Sequence, residues 1–160
     1  MCCVSQDIKM SEDKKVACFD FDGVIHRYVG YGTGELGSPL RAGIDILARF
    51  FAHDYEILIH TCRLNRKHAN WQEQKDAIEN WLDYYNVPFT KVVTDRDGKP
   101  IADVYFDDRA IPVPKNYRDI AKHPFYSQFK GQKDEDIDVA DAIYKAGLEI
   151  AEKSYKDDLL

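Results

Sequence analysis

Short apolar runs alternate along this chain with stretches of helical period, and that alternation is the pattern of a parallel sheet built from strand-helix-strand units. The first run, Val16-Ala17-Cys18-Phe19, leads straight into Asp20-Phe21-Asp22-Gly23-Val24. Its apolar and β-branched content reads as a strand that Gly23 stops, so Asp20 and Asp22 fall at the carboxyl end, where open α/β sheets bind their ligands. Two anions this close repel each other unless a cation or a shared proton relieves them. The pair therefore points to a hard-metal site or to acid/base chemistry, against the plain alternative of a solvated Asp-Gly turn.

The segment from Tyr28 to Pro39 is too glycine-rich for a helix and long enough to form a flap over the Asp20 end of the sheet. Its Tyr28 and Tyr31 either stack on a substrate or pack on the body of a short hairpin. From Arg41 to His53, Ile44, Leu47, Ala48 and Phe51 recur at helical steps. Tyr55 to His60 reads as the second strand, ending at Thr61-Cys62-Arg63. A helix over Ala69–Tyr85 carries Trp71, Ala77, Ile78, Trp81, Leu82 and Tyr85 largely on one face and closes at Asn86-Val87-Pro88. Lys91 to Thr94 is a third strand, Asp97-Gly98 a turn, and Ile101 to Phe106 a fourth strand ending in Asp107-Asp108. A last helix runs from about Asp134 to Tyr155.

With 160 residues and 44% hydrophobic content, the chain can bury one core and has little room for a second. The expected division is a flexible leader over residues 1–14 and one domain over 15–160. A net charge of −6 disfavours a broad nucleic-acid footprint but leaves a local basic pocket open. No apolar run approaches the roughly 20 residues of a membrane span, and no secretory signal opens the chain. Cys2, Cys3, Cys18 and Cys62 lack zinc-type spacing and read as free or buried thiols in a reducing compartment. A soluble cytoplasmic protein, monomeric or homodimeric, is expected.

Asp20-x-Asp22-Gly-Val, an apolar strand ending in Thr61, then Lys99, then an apolar strand ending in Asp107-Asp108, come in the order of the four motifs of the haloacid dehalogenase-like phosphohydrolase superfamily, which the chain resembles from Val16 to Arg118. The likeness is closest to small capless members of phages and bacteria, whose final motif also reads Lys-Pro-x-Ala-Asp-x-x-x-Asp-Asp-Arg, here Lys99 to Arg109. The resemblance implies an α/β fold: one Rossmann-like three-layer domain with a central, mostly parallel sheet, capless, with the glycine-rich segment as its flap. It implies a magnesium-dependent phosphomonoester hydrolase that works through an aspartyl-phosphate. Asp20 is then the nucleophile and Asp22 the acid and base. Magnesium is held by Asp20, the backbone carbonyl of Asp22, and Asp107, with Asp108 as a ligand through water or in its place. Thr61 and Cys62 supply a hydroxyl and backbone amides to the phosphoryl oxygens, and Lys99 a fixed positive charge.

Taken singly, Thr61 is a strand-end hydroxyl and Lys99 a solvated turn lysine; only the constellation lifts them. Arg63 resembles the arginine of related nucleotidases and of the phosphatase domain of polynucleotide kinase, which grips phosphate; the alternative is a solvated helix start shared with Arg66, Lys67 and His68. Arg109 either pairs with its acidic neighbours or meets substrate. Asp103, mid-strand beside the acidic pair, is the residue most easily mistaken for one of them. His26, His60 and His68 lack metal-ligand spacing and read as core or supporting residues. A receiver domain uses similar parts but places its acidic pair first, whereas here the adjacent pair follows Thr61 and Lys99; a non-catalytic phospho-ligand-binding module is the other rival. An open site admits a nucleotide monophosphate first, a 3′-phosphorylated polynucleotide end second and a sugar phosphate third.

Overall fold

A computed structural model describes residues 14–30, 35–65, 67–113 and 139–157. The expected leader, apart from Lys14, thus lies outside the described residues, as do the flap tip with Tyr31, and Arg66. Strands β1 (Val16–Asp20), β2 (Glu56–His60), β3 (Lys91–Val93) and β4 (Val104–Phe106) form a four-stranded sheet in the order β3-β2-β1-β4. Every strand pairing among the described residues is parallel, so the Rossmann-like α/β reading holds, and the sheet they form is wholly rather than mostly parallel. Register decides what meets at the carboxyl edge: Asp20 pairs with His60, Phe19 with Phe106, and His60 with Val93. Residues that follow the strands, among them Thr61, Thr94 and Asp107, therefore leave the sheet level with Asp20.

Helix α1 (Arg41–Ala52) joins β1 to β2, and α2 (Trp71–Tyr84) joins β2 to β3. Both crossovers step the same way across the sheet, so right-handed connections put both helices on one face. There Ala17, Phe19, Ile57, Ile59 and Val92 pack with Leu47, Ile78, Trp81 and Leu82 in one core. The inward aromatic of α1 is Phe50, which meets Phe19 edge-on with ring centroids 6.2 Å apart, whereas Phe51 is half exposed. Gly43 presses α1 onto the loop after β1, since a Cβ there would lie 1.8 Å from the Val24 carbonyl oxygen. At the end of α2, Asn86 takes φ +54° and the Val87 amide donates to the Leu82 carbonyl at 2.9 Å, a left-handed stop where one was expected.

Two strands are shorter than their composition suggests. Thr94 leaves β3 to cap a 3-10 turn over Asp95–Asp97, its amide donating to the Asp97 carboxylate at 2.8 Å. Asp103 precedes β4 instead of lying within it: its amide donates to the Val16 carbonyl at 2.8 Å, and its carboxylate accepts from the Val16 amide at 2.7 Å. Pro100 has no amide to pair, and Ile101 is 92% exposed, so the apolar look of Ile101–Ala102 does not extend the strand. Asp103 thus ties down the amino end of β1, roughly 13 Å along the strand from Asp20 at 3.3 Å per residue.

The chain divides into two compact units, Met1–Asp108 and Arg109–Leu160. The second contains α3 (Val139–Asp157), the expected final helix, while residues 114–138 lie outside the described residues. Among the described residues of the first unit, only turns, bridges and α2 are interposed between the strands besides α1, and none amounts to a cap. No helix among the described residues is long and apolar enough to cross a membrane.

Candidate active site

Asp20 ends β1 half-buried, its Oδ1 accepting from the Phe21 amide at 2.7 Å. Carboxylate oxygens of Asp20, Asp107 and Asp108 all lie within 4.8 Å of one another. Burial, then the neighbouring Asp107 carboxylate, push the Asp20 carboxyl up to about 7; Asp22 and Asp108 add to the rise and the Phe21 amide opposes it. Burial and the same two carboxylates, Asp20 and Asp107, also push the Cys18 thiol up to about 11, leaving it a protonated filler below the cluster. An all-oxygen donor set of this kind suits a hard divalent cation such as magnesium, which would relieve the repulsion among the three carboxylates.

The turn after β1 makes this cluster possible. Gly23 has φ +81°, and a Cβ on it would lie 2.1 Å from Asp108 Oδ2, so only a glycine lets that carboxylate approach. Phe21 is fully buried between the two aspartates, stacking on His26 with centroids 4.4 Å apart, while amides of Ile25 and His26 both donate to the Phe21 carbonyl.

Asp22 turns its carboxylate to a different set of partners. Arg63 donates from Nε to Oδ2 at 2.7 Å and from Nη2 to Oδ1 at 2.9 Å, and the His26 Nδ1 lies 3.0 Å from Oδ1. The Thr61 hydroxyl adds a longer contact to Oδ2 at 3.4 Å. Burial by itself would raise the Asp22 pKa, but hydrogen bonds from His26 and Arg63, and the Arg63 charge, outweigh it and hold the group below the usual carboxylate range.

The remaining expected site residues divide. Thr61 is buried at the end of β2, and its Oγ1 accepts from the Arg63 amide at 3.2 Å, which opens the 3-10 turn Cys62–Leu64. Cys62 is exposed. Arg63, expected at a phosphate or on a solvated helix start, is 1% exposed and holds Asp22, with the Tyr28 ring 5.4 Å from its guanidinium carbon. Lys99 is exposed with its ammonium 5.3 Å from the centre of the Tyr105 ring. Tyr105 pairs in register with Cys18, so by strand alternation it shares the sheet face of Asp20. Lys99 makes no ion pair with a carboxylate among the described residues. The sequence marked His26 only as core or support; its spacing of four residues from Asp22 across a glycine turn was the available signal.

No family model matches the chain, and no curated protein sequence matches it. Distantly similar solved structures include the following two. One is a conserved protein from Bacteroides thetaiotaomicron, 16% identical, with a TM-score of 0.43 over 76% of this chain and 93% of that one. The other is a structural-genomics target from Vibrio cholerae, 22% identical, with a TM-score of 0.39 over 77% of this chain and 92% of that one. Similarity this distant fixes neither a substrate nor an activity.

Proposed function

We propose that this chain is a phosphomonoester hydrolase of the haloacid dehalogenase-like kind, acting in the cytoplasm on a nucleotide or another small phosphorylated compound. The observation that carries the reading is the carboxylate of Asp20 at the end of β1, clustered within 4.8 Å of those of Asp107 and Asp108 and pushed up to about 7 by burial and then by those neighbours. Asp20, Asp107 and Asp108, with the backbone carbonyl of Asp22, would hold a magnesium ion, which when bound cancels charge between phosphate and carboxylates.

In this mechanism an oxygen of Asp20 attacks phosphorus as the bond to the leaving oxygen breaks, giving an aspartyl-phosphate and a departing alcohol that takes a proton from Asp22. Water then attacks the phosphorus, Asp22 takes its proton, and the bond to Asp20 breaks to release inorganic phosphate. Ionised under Arg63 and His26, Asp22 is prepared for the second step as it stands. Its acid role in the first step requires Arg63 to pass donors from Asp22 to the arriving phosphate, which reconciles the buried ion pair with the phosphate grip expected of Arg63. Thr61 lies at the same sheet edge, where its hydroxyl would turn from Asp22 to a phosphoryl oxygen.

The test is a panel of nucleoside monophosphates, sugar phosphates and 3′-phosphorylated oligonucleotides with and without magnesium. Magnesium-dependent release of phosphate, lowered in Asp20→Asn by on the order of 10⁴-fold, supports the reading. Equal turnover by the two proteins would overturn it, and phosphorylation by small donors without turnover would favour a receiver-like module.

A further inference from the structure

We infer that His26 is a positioning residue for Asp22, its imidazole locked in one tautomer by the return arm of the loop between β1 and α1. This rests on the phosphatase reading and adds a residue and a structural cause to it. The imidazole is fully buried, and both of its nitrogens have partners. The Gly37 amide donates to Nε2 at 2.6 Å, so Nε2 is an acceptor and the ring hydrogen resides on Nδ1, facing Asp22 Oδ1 at 3.0 Å. A ring flip would set carbon against both Asp22 and Gly37. Phe21 stacks on one side with planes 10° apart, and Trp81 closes another edge-on at 5.4 Å, so the ring has no room to turn.

Gly37 is itself fixed from its other end. Its carbonyl accepts from Trp81 Nε1 at 2.9 Å, which ties the return arm to α2. A Cβ at Gly37 would lie 2.2 Å from the Arg27 carbonyl oxygen, so the arm's close approach depends on a glycine. Neighbouring bonds pin the same arm to the outgoing one: the Arg27 amide donates to the Ser38 carbonyl and the Leu40 amide to the Ile25 carbonyl, each at 2.9 Å. The result is a continuous run from α2 through the Gly37 peptide and His26 to the carboxylate that handles protons. Any buried imidazole needs a partner on each nitrogen; here the partners are the return arm on one side and the Asp22 carboxylate on the other. Arg63 supplies charge to Asp22; His26 supplies direction, holding Oδ1 while Arg63 changes partners.

Two substitutions separate the two ends of the ring. His26→Asn keeps an amide donor where Nδ1 stands and gives up the Gly37 acceptor; His26→Gln offers an amide oxygen where Nε2 stands and gives up the donor to Asp22. With Asp20→Asn inactive and wild type active, so that the phosphatase reading holds by itself, we expect His26→Gln to lose kcat by about a hundredfold with KM nearly unchanged. His26→Asn should recover most of that loss even where both variants melt at similar temperatures. Nitrogen chemical shifts of the imidazole in wild type should report hydrogen on Nδ1 and a bare Nε2, a readout that needs no turnover. Equal kcat in the two variants, or hydrogen on Nε2, overturns the role of His26 while leaving the activity of Asp20 standing.

Discussion

Asp20 and Asp22 stand two residues apart on one turn, share a buried setting, and are driven in opposite directions. Burial raises both. Around Asp20 the neighbours are carboxylates, so crowding adds to burial; around Asp22 they are a guanidinium and an imidazole, so hydrogen bonds and charge overcome it. The fully buried Phe21 between them lets the two side chains face different surroundings. Position at a strand end brings carboxylates to a site, but the donors that reach each one decide whether it welcomes a cation or keeps its own charge. In the proposed chemistry the first property belongs to a nucleophile and metal ligand, the second to a group that moves protons.

Stability against pH breaks or sharpens this contrast most. Asp20 has a folded pKa of about 7 against an ordinary value of 3.8, so between those values the folded state holds a proton that the unfolded chain has released. Its contribution therefore falls as pH rises through that window, by on the order of 4 kcal/mol in the metal-free protein. Asp22 has the opposite sign: its pKa is lowered, so its contribution is present above the ordinary carboxylate pKa and lost as pH falls through its folded value. Denaturant melts from about pH 2 to 8 should show the neutral-side decline shrink in Asp20→Asn and on adding magnesium. Asp22→Asn should instead change the acid side. A decline indifferent to both Asp20→Asn and magnesium would place its origin elsewhere.

Arg63→Met comes next. It removes two donors and the compensating charge from a carboxylate that stays largely buried, and destabilisation of about 3 kcal/mol is expected at neutral pH. The double variant with Asp22→Asn should recover a large part of that, because no charge is then left stranded. Additive losses in the cycle would mean that the pair does not interact as drawn.

The halves of this contrast were unequally legible in the sequence. The Asp20, Asp107 and Asp108 cluster follows from two apolar runs that each end in acid, since parallel pairing of Phe19 with Phe106 brings their ends level. Arg63 on Asp22 depends on a register, Asp20 beside His60, and on a guanidinium folding back under the Cys62–Leu64 turn; neither leaves a local pattern. Composition misplaced Asp103 because Ile101 and Ala102 look like strand, whereas Pro100 and the bonds of Asp103 to Val16 delay pairing until Val104. In α1, helical spacing was right but Phe50 and Phe51 are adjacent, and a rotation of one residue chose between them.

The smallest effect concerns the residue between the two environments. Gly23→Ala places a methyl where Asp108 Oδ2 now lies 2.1 Å away, on a backbone with φ +81°. The backbone cost alone is about 1 kcal/mol, because a left-handed conformation disfavours any Cβ. Asp108 must also swing out, and with it goes one oxygen of the acidic cluster, while Arg63 and His26 keep Asp22 where it is. Magnesium affinity, read by calorimetry on the metal-free protein, should therefore weaken several-fold, with the acid-side stability attributed to Asp22 unchanged. Since Asp108 contributes to raising the Asp20 pKa, its departure should also shift the neutral-side decline to lower pH. If affinity fell without that shift, Asp108 would be a metal ligand that does not act on Asp20; if the shift came with affinity intact, Asp107 and Asp20 would be the two carboxylates that hold the ion.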